Sequence, residues 1–321
     1  MISGETVLIT GGAGNLARQL TSQLSRQGHR VVLVDLPPPP PDLAWEYHIA
    51  DISDRERLVE IFSLVRPERI IHFASLLSGG SEEDRDRAWQ VNATGSFGIF
   101  EAALATGVRS IFFPSSVAAY GHPLPETVPL DHPQWPGGFY GVTKATVERL
   151  GVYYHQRFGL DFRCLRLPVV ISRHAPAGAA SAYASRCFVE VAQNGRYCFQ
   201  VRPETRPSLI YVKDVLRAVV ELTSAPNEKL TRRVYNLQAL SPTAGEICRA
   251  ISSRVPGAAL EFEPDAEIVQ LIESWPVTFD DSAARADWGW TPRYDLESLA
   301  DDFLGELMDG DADGRRVRGV G

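Results

Sequence analysis

The sequence predicts an α/β fold, a doubly wound parallel sheet carrying a smaller C-terminal substrate lobe. Three observations predict it. Short β-branched runs alternate with helical patterns through the first half of the chain, and such alternation requires crossover connections and parallel strands. The first run, Thr6-Val7-Leu8-Ile9-Thr10, ends in a glycine-rich turn that opens a helix. The residues of chemical interest (Gly11 to Gly14, Asp35, Ser78, Ser116 and Tyr140) all fall at the carboxyl ends of expected strands. Ligands of open α/β sheets sit at those ends. Together these features describe a Rossmann-type domain.

Composition narrows the class. Hydrophobic residues make up 44% of the 321 and charged residues 22%, as in a packed globular chain. The net charge of −8, with no block of Lys or Arg before the last residues, argues against a nucleic-acid partner. Cys164, Cys187, Cys198 and Cys248 form no C-x-x-C pair and read as reduced thiols packed as small hydrophobes, with no metal site. No apolar run approaches the roughly 20 residues of a membrane helix. Met1 leads directly into a strand, so a soluble, cytoplasmic protein without signal peptide or membrane association is expected.

After Thr10, Gly11-Gly12-Ala13-Gly14 opens a helical pattern through Leu16, Leu20 and Leu24 that ends at Gly28. Gly11, Gly14 and Ala17 form G-x-x-G-x-x-A. The glycines let backbone approach a pyrophosphate, the helix N-terminus supplies N–H groups, and Ala17 permits close helix–strand packing. Val31 to Asp35 is a second strand ending in an acid. A carboxylate there binds both ribose hydroxyls and repels a 2′-phosphate, which favours NAD over NADP. The alternative is that Asp35 merely starts the turn through Pro37–Pro41, a stiff surface excursion. Asp51-Ile52 stands where a third strand should end, positioned for an adenine, and Asp54 reads as the cap of a helix over 55–65. Arg69 to Ala74 is the fourth strand, with His72 a packed core histidine. Leu76 to Gly80 reads as a loop beside the nicotinamide. The stretch from Glu82 to Ala105 reads as mainly helical, its charged start as a solvated face, with Asn92 bridging it to the next strand.

The strand Ser110 to Pro114 delivers Ser115 and Ser116 to the same edge, and five prolines between 123 and 136 mark a long loop leading into Tyr140. Tyr140-x-x-x-Lys144 puts both side chains on one helix face. A phenol titrates near pH ~10, and an ammonium one turn away favours the phenolate. Tyr140 can then exchange a proton with a substrate hydroxyl while Ser116 hydrogen-bonds the same oxygen. Beside a hydride acceptor, those parts suit alcohol oxidation or ketone reduction.

In the second half, Phe162 to Leu167 is a sixth strand stopped by Pro168. Ala175 to Ala184 is a small-residue loop before an amphipathic helix to about Gln193. Ile210 to Asp214 opens another helix, Arg232 to Leu237 is a strand, and Thr243–Ile251 and Leu296–Leu307 are helical. The expected division is a dinucleotide-binding domain over 1–167 with returning segments near 209–237, a substrate lobe over 168–208 and 238–308, and a disordered tail over 309–321.

These residues resemble the extended short-chain dehydrogenase/reductase superfamily. Phe158 to Arg163, Gly195 to Tyr197, Lys229 to Asn236 and above all Ser274-Trp275-Pro276 with Asp280 to Trp290 are similar to NAD-dependent L-threonine 3-dehydrogenases of the short-chain type. The resemblance spans nearly the whole chain except the tail. It implies a bound NAD held by Gly11, Gly14, Asn15, Leu16, Asp35, Asp51, Ile52, Phe73, Ala74, Ser75, Asn92, Tyr140, Lys144 and Leu167. It also implies that Tyr140 takes the proton of a substrate hydroxyl, that Ser116 holds the oxygen, and that Lys144 grips the ribose. Substrate contacts fall on Ser78, Ser116, Ser181 and Trp275, the last equally readable as a core plug beside Pro276. Trp288 and Trp290 are core. The implied reaction is oxidation of the hydroxyl of a small β-hydroxy acid or β-hydroxy amino acid, threonine first. Members often pair through the helices within Glu82–Ala105 and Tyr140–Phe158, so a homodimer is expected.

Two segments depart from that pattern. Ala179-Ala180-Ser181-Ala182-Tyr183 stands where the group has Gly-Thr-Thr-Asp-Tyr, and Gly137-Gly138-Phe139 stands where an Arg-Thr precedes the tyrosine. An ammonium carboxylate needs paired charges when buried, so these losses argue for a substrate other than threonine and leave its identity open. One alternative is a sugar-nucleotide epimerase-type enzyme that returns the hydride, for which Arg173, Arg186, Arg202 and Arg206 are the available diphosphate contacts. Another is a non-catalytic NAD-binding sensor.

Overall fold

Apolar runs become parallel strands where helices can cover both faces of the sheet. The computed structural model, which describes residues 4–41, 43–175 and 180–317, has this arrangement through the first half of the chain. β1 (Thr6–Thr10) leads through α1 (Asn15–Arg26) to β2 (Arg30–Asp35) and β3 (Glu46–Ile49). α2 (Arg55–Val65) starts where its cap predicts: the Asp54 carboxylate accepts from Arg57 N at 3.0 Å. β4 (Arg69–His72) follows. The single helical stretch expected next is four pieces: α3 (Ser78–Glu83), α4 (Arg85–Ala88), a π-helical turn Trp89–Gly95 and α5 (Ser96–Thr106). Asp84 makes the first break, leaving helical geometry so that its side chain caps α4 at Arg87 N. Ser78 to Gly80, expected as loop, begin α3.

β5 (Ser110–Ser116), the short β6 (Thr127–Val128), α6 (Phe139–Phe158) and β7 (Asp161–Leu167) complete the first half. Beyond Pro168 come β8 (Val169–Ile171), α7 (Tyr183–Asn194), β9 (Arg196–Phe199), β10 (Leu209–Tyr211), α8 (Val212–Ser224) and β11 (Val234–Asn236). α9 (Ala244–Ser252) opens with a reciprocal Thr243–Glu246 capping box. β12 (Ala259–Phe262), α10 (Ala266–Glu273), β13 (Thr278–Phe279), α11 (Ser282–Trp288) and α12 (Leu296–Val317) end the fold.

The central sheet has the order β11-β7-β5-β4-β1-β2-β3, all neighbours parallel. The chain winds outward one way through β2 and β3 and the other way from β4. The order therefore reverses between β1 and β4, where Thr10 and His72 lie in register. A crevice opens at such a switch point. Strand alternation divides the core between the two faces. Val7 and Ile9 join one cluster with Leu20, Phe188 and Trp290, and Leu8 joins another with Phe62, Phe100 and Phe162.

Two boundaries differ from the sequence expectation. Of the segments near 209–237, only β11 returns to the main sheet; β10 pairs with β8 in a separate two-stranded ladder. α12 continues to Val317 through most of the expected tail, because no proline or β-branched run interrupts it, and 318–321 lie outside the described residues. Trp290 is fully buried, as expected, with its indole N–H donating to Gln238 O at 3.4 Å and the Arg217 guanidinium over its ring. Trp288 is half-buried against the same cluster. Trp290→Ala is expected to lower unfolding stability by about 3–5 kcal/mol, read as a fall in the urea midpoint at unchanged slope.

Candidate active site

The β1–α1 turn rests on the chain leaving β4. Gly11 has φ +71°, and a Cβ there would lie 2.7 Å from Ala74 N, so only glycine permits both the turn and the approach. Gly14 N donates to Gly11 O at 3.0 Å, and Gly14, as N-cap of α1, has no side chain to satisfy the amides of the first turn. Those amides suit an anion. The Asp35 carboxylate accepts from Ala13 N at 2.9 Å and from Leu36 N at 2.8 Å. It therefore braces the glycine turn and starts the proline excursion at once. A carboxylate offers about four acceptor positions, so capacity remains for a ribose diol. Gly11, Gly14, Asn15, Leu16, Asp35, Phe73, Ala74 and Ser75 thus meet at the switch point, and the cradle without Cβ atoms fits a dinucleotide.

Asp51, Ile52 and Asn92 have structural duties as well. β3 ends at Ile49, so Asp51 lies in the following turn. Its carboxylate accepts from Ser53 N and Oγ and pairs with Arg87 at 3.0 Å. Burial pushes this carboxyl up, but the Ser53 and Arg87 donors outweigh it and hold it below its ordinary value. Arg87, expected on a solvated face, is therefore a tertiary tie. Ile52 is buried beneath Gly95. Asn92 is buried and exchanges bonds with Leu76 N and O at 2.7 and 3.0 Å, and donates to Thr143 Oγ1 at 3.2 Å. It ties the chain after β4 to α6, not to the next strand, because the π-helical turn points its amide that way. His72 is a core histidine, bonded to Thr10 and Ser96 hydroxyls and pushed down to about 3 by burial.

Ser116 ends β5 in register with Leu167. A Cβ on Gly141 would lie 2.0 Å from Ala118 O, so glycine beside Tyr140 lets the start of α6 lie directly on the 117–119 turn. Ser116 and Tyr140 are brought to one edge by that contact. Ser116 Oγ accepts from Ala118 N at 3.2 Å. Lys144 is buried, with Nζ 2.9 Å from Pro114 O, 4.5 Å from the Phe113 ring centroid and 5.3 Å from the Tyr140 ring centroid. Burial pulls Lys144 down to about 8 and pushes the Tyr140 phenol up. The expected depression of the phenol by Lys144 is not met in this arrangement, because the ammonium is drawn to the Pro114 carbonyl and lies over the Tyr140 ring.

Of the expected substrate contacts, Ser78 is exposed at the start of α3, and Ser181 is half-buried in a 3-10 turn against which α10 packs. Ala179 lies outside the described residues. Trp275 follows α10 and packs half-buried on the main core, as the plug reading expects. Just beyond it, β13 pairs with β6, joining the Ser274–Trp290 signature to the loop before Tyr140. Two carboxylates that no sequence motif marks stand here. Glu82 Oε1 accepts from Phe139 N at 2.6 Å, capping α6 in place of the side chain that Gly138 lacks; a glycine at a helix start was the available signal. Glu148 continues the four-residue spacing of Tyr140 and Lys144.

The four candidate diphosphate arginines are engaged elsewhere. Arg173 donates to Glu306 O at 3.1 Å, Arg186 pairs with Glu190 at 2.5 Å, Arg202 with Glu273 at 3.6 Å, and Arg206 bonds Ser241 O.

The model of the NAD dependent epimerase/dehydratase family matches residues 7–237. The chain belongs to this family. It is an NAD-dependent oxidoreductase of the extended short-chain dehydrogenase/reductase type. A mitochondrial L-threonine 3-dehydrogenase of Bos taurus is 38% identical over 306 residues, covering 94% of this chain and 82% of the relative. Among solved structures, the L-threonine dehydrogenase of Clostridium difficile superposes with a TM-score of 0.90 at 32% identity, over 96% of this chain and 99% of that one. A monomeric L-threonine 3-dehydrogenase from a metagenome database matches with a TM-score of 0.88 at 28% identity, over 95% and 99%. No helix among the described residues is long and apolar enough to cross a membrane.

With NAD as the family's cofactor, Asp35→Asn is expected to weaken NAD binding about tenfold or more and to narrow the preference over NADP. Calorimetric titration of both coenzymes checks this; an unchanged preference would remove Asp35 from the ribose.

Proposed function

We propose that this protein oxidises the hydroxyl of a small β-hydroxy amino acid, with L-threonine the first substrate to test. The observation that carries the reading is the close packing of the start of α6, with Tyr140 and Lys144, on the carboxyl end of β5 that bears Ser116: Gly141 rests on the Ala118 carbonyl and Lys144 Nζ lies 2.9 Å from Pro114 O. The similarity to threonine dehydrogenases over 94% of the chain supports it. Bound NAD would supply the acceptor for the carbon-bound hydrogen and its electron pair. Tyr140, once it has lost its own proton, takes the hydroxyl proton, Ser116 Oγ holds the oxygen, and Lys144, with Nζ 5.3 Å from the Tyr140 ring centroid, is the cation beside that phenolate. Ser78, Ser181 and Trp275 are the proposed substrate contacts, and the product is a β-keto acid. Engagement of all four candidate arginines within the chain disfavours a nucleotide-sugar diphosphate.

Tyr140→Phe is expected to lower kcat by about 10²–10⁴ with NAD affinity unchanged. NADH absorbance with L-threonine, allo-threonine, serine and 3-hydroxybutyrate reads this out. Wild-type silence on all four, with NAD released on denaturation, would favour a returned hydride and an epimerase.

The assembly proposed is a homodimer through the 89–106 and 139–158 helices. Trp89, Phe97, Val142, Tyr153 and Phe158 are large apolar side chains exposed on these segments, and the Trp89 and Phe139 rings lie 6.4 Å apart. All four cysteines are unpaired, which accords with a reducing compartment such as the cytoplasm. Light scattering is expected to give twice the 35.4 kDa chain mass for the wild type and the single mass for Phe97→Asp; a monomeric wild type removes the dimer.

A further inference from the structure

Helix α6 is fastened to β5 by two successive strand residues. Pro114 O accepts from Lys144 Nζ at 2.9 Å, and Ser115 Oγ donates to Glu148 Oε1 at 2.5 Å. These contacts are one helical turn apart, and the next strand residue is Ser116. Arg166, the register partner of Ser115 on β7, grips the same carboxylate from the side: Nε donates at 2.9 and 3.1 Å and Nη2 at 2.7 Å. Gln134 Nε2 adds a bond at 2.8 Å from the loop before Tyr140. Arg166 also bonds Tyr120 Oη and Leu130 O, and Tyr120 donates to Asn236 Oδ1 at 2.8 Å. Glu148 is 1% exposed and Arg166 4%. A pair so buried loses most of its hydration, and apolar side chains of the same volume often match or exceed its stability. Its placement beside Lys144 points to a duty besides stability.

We propose that Glu148 is a positioning residue for the reaction: it holds α6 in register on β5, setting Tyr140 against Ser116, and supplies the counter-charge for the buried Lys144 ammonium. The inference rests on the reading of Ser116, Tyr140 and Lys144 as the reacting set. Lys144 is faced by Tyr140 and Glu148 on α6, His72 on β4, the Phe113 ring and Pro114 carbonyl on β5, and Cys164 on β7. Burial disfavours the ammonium, and negative charge at Cys164 and Glu148 opposes that effect. The Cys164 thiol is itself pushed well up by burial and stays neutral, and so does His72. Glu148 is therefore the anion that remains. Replacing it with glutamine keeps the shape and removes that anion, so Lys144 must lose its proton at lower pH.

The chain has only three lysines, Lys144, Lys213 and Lys229, so selective ¹³C-lysine labelling separates the Lys144 titration by NMR. Lys213 pairs with Asp302 and Glu306, and although burial pulls its ammonium down, those two carboxylates outweigh it and hold it above its ordinary value. In Glu148→Gln the Lys144 midpoint is expected about one pH unit below the wild type. A structural ion pair alone would lower Tm and leave that midpoint in place, which would overturn the proposal. Should Glu148→Gln fail to fold, Ser115→Ala keeps the Glu148–Arg166 ion pair but removes the tie from Glu148 to β5. Its kcat is expected to fall about tenfold at unchanged NAD affinity, and wild-type kcat would overturn the proposal. The Lys144 titration requires no substrate, so silence with every hydroxy acid would sink the functional reading and leave this test intact.

Discussion

The geometry of the site depends on how closely α6 can lie on the carboxyl edge of β5. Any side chain at Gly141 would displace the helix from the Ala118 carbonyl, and Tyr140, one residue before it, would move with the helix. Polar contacts then fix what the close approach allows. Lys144 and Glu148 meet Pro114 and Ser115 in sequence, so rotation or sliding of α6 would break both at once. Interiors packed this tightly transmit a shift of one element to its neighbours.

The dinucleotide half depends on a comparable approach. Gly11 sits on Ala74, and the Asp35 carboxylate holds Ala13 in place, so β1, β2 and β4 share a single turn. A cradle fixed by backbone contacts keeps its shape before a ligand arrives. Less ordering entropy then opposes binding.

Features legible in the sequence were those set by local rules. The glycine turn, the Asp54 cap, the Val31–Asp35 strand and the apolar setting of His72 each follow from neighbours within a few residues. The illegible parts were tertiary. Nothing near Lys144 in sequence shows that Pro114 will take its ammonium, so the spacing argument placed the charge closer to the phenol than it lies. Glu82 read as solvated because its partner, Phe139 N, is remote in the chain. Ser78 read as loop because two glycines follow it, although α3 forms against α6. Asn92 was recognised as a bridge, but a π-helical turn chose its partners.

The Thr127–Thr278 contact, 2.8 Å between hydroxyls, joins residues 151 positions apart. The strands on either side of it, β6 and β13, form one wall from the loop before Tyr140 and the segment after Trp275. A ribosome adding about 5–20 residues per second emits the second half of that wall roughly 8–30 s after the first. β1 through β5 and the glycine turn are complete in the nascent chain well before then. The wall before Tyr140 is therefore completed late in synthesis, long after the residues of the glycine turn have emerged, and it closes only when the distant C-terminal segment arrives.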